Sequence, residues 1–300
     1  MKQLVILSGK GGTGKTSVAA AIAHLATEDH LSISAVLADA DVDAANLELV
    51  LSPRVIERED FRGGQIAVID QGSCDGCGNC EEVCRFDAIH QADGLYQVDS
   101  IACDGCAACV YQCPTDAISM HDQVVGQWFR SESHYGPLLH AALRPAQENS
   151  GKLVTLVKQR ARLLAMDEGY ELVLVDGPPG IGCPVISAVS GADLALIVAE
   201  PTAAGVHDMQ RILQTTRHFG VRSLVCINKA DLYAEGSMEI ETFCHEQGIE
   251  LVGRIPFDPT VTEAMVQGEP VTAYLSGSPA SQALRAVWVN VFKELDGVPV

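Results

Sequence analysis

Six stretches of the chain are almost continuously apolar: LVILSG from Leu4, AVLADA from Ala35, ELVLVDG from Glu171, LALIVAE from Leu194, LVCINK from Leu224 and LVGRIP from Leu251. Runs of this length with no polar face suit strands that are covered on both sides. Between them lie longer segments with helical spacing, at residues 15–26, 205–219 and 237–247, and another that begins near Ser150 and precedes the strand at Glu171. Strands that alternate with helices of this length predict an α/β fold, a mostly parallel sheet with helices on both faces, whose ligands gather at the carboxyl ends of the strands. The last segment sets Leu284, Trp288, Val291 and Leu295 on one helical face. It reads as a helix docked on the core, because a membrane-surface helix wants several basic residues and only Arg285 and Lys293 are at hand.

The alternation stops between Gly64 and Asp122, where short glycine- and cysteine-rich turns replace it. This reads as an insertion, residues 64–122, into a discontinuous domain made of residues 1–63 and 123–300. Its two halves repeat each other: CDGCGNCEEVCRFDAI from Cys74 and CDGCAACVYQCPTDAI from Cys103. Each half carries the spacing C-x2-C-x2-C-x3-C, in Cys74, Cys77, Cys80 and Cys84 and again in Cys103, Cys106, Cys109 and Cys113. That spacing fits iron–sulfur ligation; zinc is the alternative, although its sites usually draw on separated C-x2-C pairs.

Composition narrows the choices. The 300 residues carry a net charge of −19, whereas nucleic-acid binding needs clustered Lys and Arg, so no nucleic-acid partner is expected. No apolar run approaches the roughly 20 residues that span a bilayer, so no stable membrane insertion is expected. The N-terminal MKQLVILSGKGG runs straight from an apolar stretch into a glycine loop and reads as a first strand rather than a cleavable leader. A cytoplasmic protein follows, and eleven cysteines in that reducing compartment point to metal rather than disulfides. Residues 64–122 hold ten Asp or Glu against one basic residue, Arg85. Such a surface either solubilises the module or steers a partner with a basic patch.

GKGGTGKT, from Gly9 to Thr16, lies between the first strand and the first helix and fits a phosphate-binding loop. The nucleotide-binding set is Gly11, Gly12, Thr13, Gly14, Lys15, Thr16 and Ser17. Backbone N–H groups at the glycines face phosphate oxygens, Lys15 supplies charge and Thr16 offers a hydroxyl to Mg²⁺. Asp39, Asp41 and Asp176 each stand at the end of an apolar strand, where metal and phosphate bind. Asp43 reads as a surface or helix-capping acid. Cys226, in a strand, and Cys244, in a helix, read as packing thiols.

With Lys10 at its start, the loop resembles the deviant Walker A form of the MinD/Mrp/ParA and nitrogenase iron-protein group of P-loop ATPases, here with an inserted bacterial ferredoxin-like α+β domain. VLADADVDAANLEL from Val36 and LVLVDGPPGIG from Leu172 resemble that group's second motif and Walker B region. The resemblance implies ATP/ADP and Mg²⁺, with Lys10, Lys15 and Asp41 catalytic. Lys10 would reach the partner's phosphates in an ATP-state homodimer, Asp41 would orient water, and Asp39 and Asp176 would serve the Mg²⁺ alongside Thr16. NKAD, with Asn228 and Asp231, formally matches the guanine-reading motif of GTPases; the resembled group uses a similar stretch for adenine.

The ferredoxin resemblance implies two [4Fe-4S] clusters. One is held by Cys74, Cys77, Cys80 and Cys113, the other by Cys103, Cys106, Cys109 and Cys84. Arg85 departs from the pattern, which has proline there. Cys183 follows the Walker B region at an offset similar to that of the cluster-binding cysteine of nitrogenase iron protein, against the plainer reading of a small buried residue before Pro184. Three functions result: ATP-gated electron transfer, metallocluster assembly, and redox-sensing positioning by a MinD/ParA-like ATPase. The first two imply a basic-surfaced redox or metallocluster client, such as a small dinitrogenase-cofactor-type protein.

Overall fold

The apolar runs become the centre of a nine-stranded sheet in the computed structural model, which describes residues 1–28, 33–144 and 150–297. The chain begins with β1 (Lys2–Ser8), α1 (Lys15–Ala26), β2 (Ala35–Asp39), α2 (Leu47–Leu51) and β3 (Arg54–Ile69). The cysteine-rich region supplies α3 (Asn79–Glu82), β4 (Ile89–Ala92), β5 (Leu95–Val98) and α4 (Ala108–Gln112), and β6 (Ile118–Ser133) and β7 (Gly136–Leu143) follow. Next come α5 (Ser150–Glu168), β8 (Leu172–Pro179), α6 (Cys183–Val189), β9 (Leu194–Ala199), α7 (Ala203–His218) and β10 (Arg222–Asn228). The chain then forms α8 (Ala234–Gln247), β11 (Glu250–Ile255), α9 (Thr260–Gln267), α10 (Val271–Tyr274) and α11 (Pro279–Asp296).

Contacts divide the chain into two units. The first comprises Met1–Glu59, Trp128–Ala142 and Ser150–Val300; the second comprises Asp60–Gln127 and a short stretch beginning at Leu143. The strand order is β11-β10-β9-β1-β8-β2-β7-β6-β3. The strands from β11 to β7 pair in parallel throughout. Only two residues join β6 to β7, too few for a crossover, so those two strands run antiparallel.

One face of the sheet buries Leu4, Ile6, Leu37, Leu174, Leu196 and Leu224 against α1 and α11. Leu284, Trp288, Val291 and Leu295 all point into this core, so α11 is the docked helix that the sequence suggests. Helices α5, α6 and α7 pack on β2, β8, β9 and β10 and belong outside that cluster, on the opposite face. Lys158 of α5 is buried, and its ammonium donates to the carbonyls of Ser187, Ala188 and Ser190 at 2.7 Å each. It closes the carboxyl end of α6, where carbonyls lack partners within the helix.

Strands β3, β6 and β7 are absent from the six apolar runs. The first half of β3, RVIEREDF, is exposed and rich in charge, as suits a strand at a sheet edge. In β6, buried Val125, Trp128 and Ser131 lie among partly exposed positions, so neither a continuous run nor strict alternation marks it. The second unit contains the antiparallel pair β4 and β5 and a small core of Ala67, Ile69, Cys80, Ile89, Tyr96, Cys109 and Ile118. Among the described residues, no helix is long and apolar enough to cross a membrane.

Candidate functional site

Because its core strands are parallel, the first unit brings the carboxyl ends of β1, β2, β8, β10 and β11 to one edge. There a cavity of about 710 Å³ opens, within the range of ordinary ligand sites. Gly11, Gly12, Gly14, Lys15, Thr16 and Ser17 line one part of it. Gly12 and Gly14 hold φ values of +78° and +92°, a backbone that favours glycine. A Cβ on Gly14 would also lie 2.3 Å from the Asn228 amide nitrogen. Pro256, Phe257, Val261 and Met265 form an apolar part of the same lining.

Strands β2 and β8 set Asp39 beside Asp176 in register, both fully buried. The two differ in what they touch. Asp39 accepts backbone N–H groups from Asp41 at 3.0 Å, Asn46 at 3.1 Å and Leu47 at 2.9 Å, so it shapes the loop leading into α2. Neither oxygen of Asp176 meets a donor in hydrogen-bonding geometry, although the nearby Thr16 hydroxyl acts to lower its pKa. Burial pushes Asp176 up to about 6 against the pull of Lys15 and Thr16. Asp39 is raised well above the usual carboxylate range by burial and by Asp176. Asp41 lines the cavity, and its carboxyl is raised by burial against the attraction of Lys15. An orphaned buried carboxylate beside a threonine hydroxyl is an oxygen-rich donor set that fits Mg²⁺.

Several assigned residues have other partners. Lys10, expected to reach another subunit's phosphates, pairs with Glu200 of its own chain at 2.5 Å. Glu200 also holds Lys229 at 2.9 Å, and Lys229 donates to the Gly12 carbonyl at 3.2 Å. Burial would raise the Glu200 pKa, but its bonds to the two lysines outweigh that and hold it low. Sequence reasoning missed this acid, whose one signal is its place directly after the apolar run of β9. Asn228 donates to the Thr13 carbonyl at 2.7 Å and accepts from the Lys229 N–H at 3.0 Å, so it braces the phosphate loop. Asp231 accepts from the Phe257 N–H at 2.6 Å and steadies the segment after β11. Phe257 itself lines the cavity.

In the second unit the cysteines separate into two groups. One cavity is lined by Cys74, Cys77, Cys80 and Cys113, together with Tyr96 and Thr115. Another is lined by Cys84, Cys103, Cys106 and Cys109, together with Phe86. The grouping crosses the two sequence repeats, with the fourth cysteine of each run lying with the first three of the other run. Among the described residues, no three His, Cys, Asp or Glu side chains form a group suited to a single metal ion. Cys226 and Cys244 are buried, and burial pushes their thiols up to about 12 and about 11, as suits packing residues. Cys183 is exposed at the start of α6, which does not match the reading of it as a small buried residue.

The sequence profile of the CobQ/CobB/MinD/ParA nucleotide binding domain matches residues 4–271. The chain belongs to this family. Its phosphate loop and α/β fold are accordingly those of a MinD/ParA-type P-loop ATPase. An uncharacterized protein of Methanocaldococcus jannaschii, MJ0578, is 37% identical over 227 residues, covering 76% of this chain and 78% of that protein. A Pyrococcus furiosus protein named iron-sulfur cluster carrier protein is 25% identical over 164 residues, covering 49% of this chain and 55% of its own. The fold is also that of the Aquifex aeolicus MinC:MinD cell division protein complex, with a TM-score of 0.60 at 21% identity, covering all of this chain and 98% of that one.

The buried pair Asp39 and Asp176 has a measurable consequence for stability. A carboxyl whose folded pKa is raised from 3.8 to about 6 binds protons more readily when folded than when unfolded. Stability therefore falls as pH rises through that window, and the cost is fully present at pH 7. Asp176→Asn, which removes the charge, should stabilise nucleotide-free protein at pH 7 by on the order of 3 kcal/mol, and by less at pH 5. Thermal unfolding at the two pH values checks this. The same variant should lose Mg²⁺-dependent nucleotide binding.

Proposed function

We propose that this chain is an ATP-hydrolysing iron–sulfur protein in which a nucleotide-driven dimer switch is coupled to electron transfer through two [4Fe-4S] clusters. The observation that carries the electron-transfer half is the allotment of eight cysteines to two four-cysteine cavities. A [4Fe-4S] cluster places its thiolates around a cube rather than on one ion, and a fourth cysteine from the other run is the bacterial ferredoxin arrangement. Cys74, Cys77, Cys80 and Cys113 would hold one cluster and Cys84, Cys103, Cys106 and Cys109 the other. When bound, the clusters supply one-electron chemistry that no side chain here provides.

In the first unit, the backbone N–H groups of the phosphate loop and the Lys15 ammonium hold the ATP phosphates. Thr16 and Asp176 would hold Mg²⁺, with Asp39 fixing the adjoining loop. Mg²⁺ supplies charge neutralisation at the phosphates. Asp41 orients the attacking water, and the apolar lining at Pro256, Phe257 and Met265 receives the base. Asn228 and Asp231 act on the base site indirectly, by bracing the phosphate loop and the Phe257 segment. ATP must favour the closed dimer over the open form for its binding to drive closure. In that dimer Lys10 exchanges Glu200 for the partner's phosphates.

The acidic cysteine-rich segment supports a client with a basic surface, either a redox acceptor or a metallocluster protein such as one of the small dinitrogenase-cofactor type. The relatives named iron-sulfur cluster carriers favour a second reading, ATP-dependent cluster assembly or delivery. Incubating the iron-loaded protein with ATP and an apo-ferredoxin separates the two. An electron carrier keeps its iron through many ATP turnovers, whereas a delivery factor gives iron and sulfide to the apo-protein in proportion to ATP hydrolysed. Iron transfer with no ATP-stimulated reduction of any acceptor overturns the first reading.

A further inference from the structure

The two cysteine groups come from a duplicated sequence, so each is a control for the other. Cys84 and Cys113 occupy equivalent places at the ends of their runs. Both sulfurs accept a backbone N–H from four residues on: Ala88 to Cys84 at 3.4 Å and Ala117 to Cys113 at 3.3 Å. The side chains two residues on differ. Thr115 places its hydroxyl oxygen 3.6 Å from the Cys113 sulfur, whereas Phe86, at the matching position beside Cys84, has no polar atom. Both residues line the cavity of their own group. A cysteine bound to iron carries no proton, so in a loaded site Thr115 must be the donor and the sulfur the acceptor.

One-electron reduction adds negative charge that spreads over the cluster and its thiolates, and a donor aimed at a ligating sulfur stabilises that charge. Hydrogen bonds to sulfur are among the determinants of an iron–sulfur potential. We infer that Thr115 sets the two clusters apart, raising the reduction potential of the one held by Cys74, Cys77, Cys80 and Cys113, which therefore accepts the first electron. The other cluster, beside Phe86, is the stronger reductant once both are filled. Arg85 acts in the opposite sense on the Cys84 side through an exposed, screened charge, whereas Thr115, exposed as well, reaches its sulfur directly. This assignment rests on the two-cluster reading above.

The test is an EPR-monitored redox titration of the full-length protein, anaerobically purified and reduced stepwise with dithionite. Wild type should show two one-electron steps at distinct potentials. Thr115→Val, which keeps the shape and removes the hydroxyl, should move one step to lower potential and leave the other in place. Thr115→Ser should restore the wild-type value, and Phe86→Thr should raise the other step. Thr115→Val with a full complement of iron and two unshifted steps overturns the assignment and leaves the two-cluster reading intact. Wild-type protein that holds no iron and sulfide after reconstitution overturns that reading and the assignment with it.

Discussion

Lys15→Ala should lower ATP hydrolysis by at least about 100-fold and leave the absorbance of the proposed iron–sulfur clusters unchanged. The magnitude follows from removing a fixed charge from the place where phosphoryl transfer develops negative charge, a loss ordinarily of 10²–10³ in rate. Lys15 is 5% exposed and lines the phosphate-loop cavity. Lys10 and Lys229 are engaged by Glu200. The cysteine groups belong to the second compact unit, which is why the absorbance should survive. Steady-state phosphate release and a visible spectrum on the same preparation check both halves. Hydrolysis at the wild-type rate would remove Lys15 from the catalytic site.

On the proposed two-cluster reading, Cys80→Ala should halve the iron content, remove one of two EPR signals and leave nucleotide affinity unchanged. Its sulfur lines the same cavity as Cys113, 33 positions further along the chain, rather than the cavity of Cys84 in its own run. Cys113→Ala should therefore remove the same signal as Cys80→Ala, whereas Cys84→Ala and Cys109→Ala should both remove the other. Grouping by spectrum separates ligation from a general loss of structure, since unfolding of the second unit would abolish both signals in every variant. Cys80 and Cys84 removing the same signal would contradict the crossed arrangement.

Those cross-repeat groups are legible in the sequence through its resemblance to bacterial ferredoxins, in which the fourth cysteine of each run serves the other cluster. The six central strands are legible for a different reason: burial on both faces leaves each as an uninterrupted apolar run. Strands β3 and β6 carry a mixture of exposed and buried positions, and the segment around Arg54 and Glu59 reads as surface rather than as sheet. The base-reading roles given to Asn228 and Asp231 follow from motif likeness, while their actual bonds run to Thr13, Lys229 and Phe257. Glu200 shows the limit most plainly. Its two lysines lie 190 residues before it and 29 after it, and only the parallel order of β1, β9 and β10 brings the three together.

Coupling between nucleotide and clusters is the core of the proposed function. It is tested most directly by the reduction potentials and EPR spectra of the anaerobically purified protein without nucleotide, with ADP and with a non-hydrolysed ATP analogue. The analogue should shift at least one potential or alter at least one spectrum relative to the nucleotide-free and ADP states. Identical potentials and spectra in all three states, at saturating nucleotide, would contradict it.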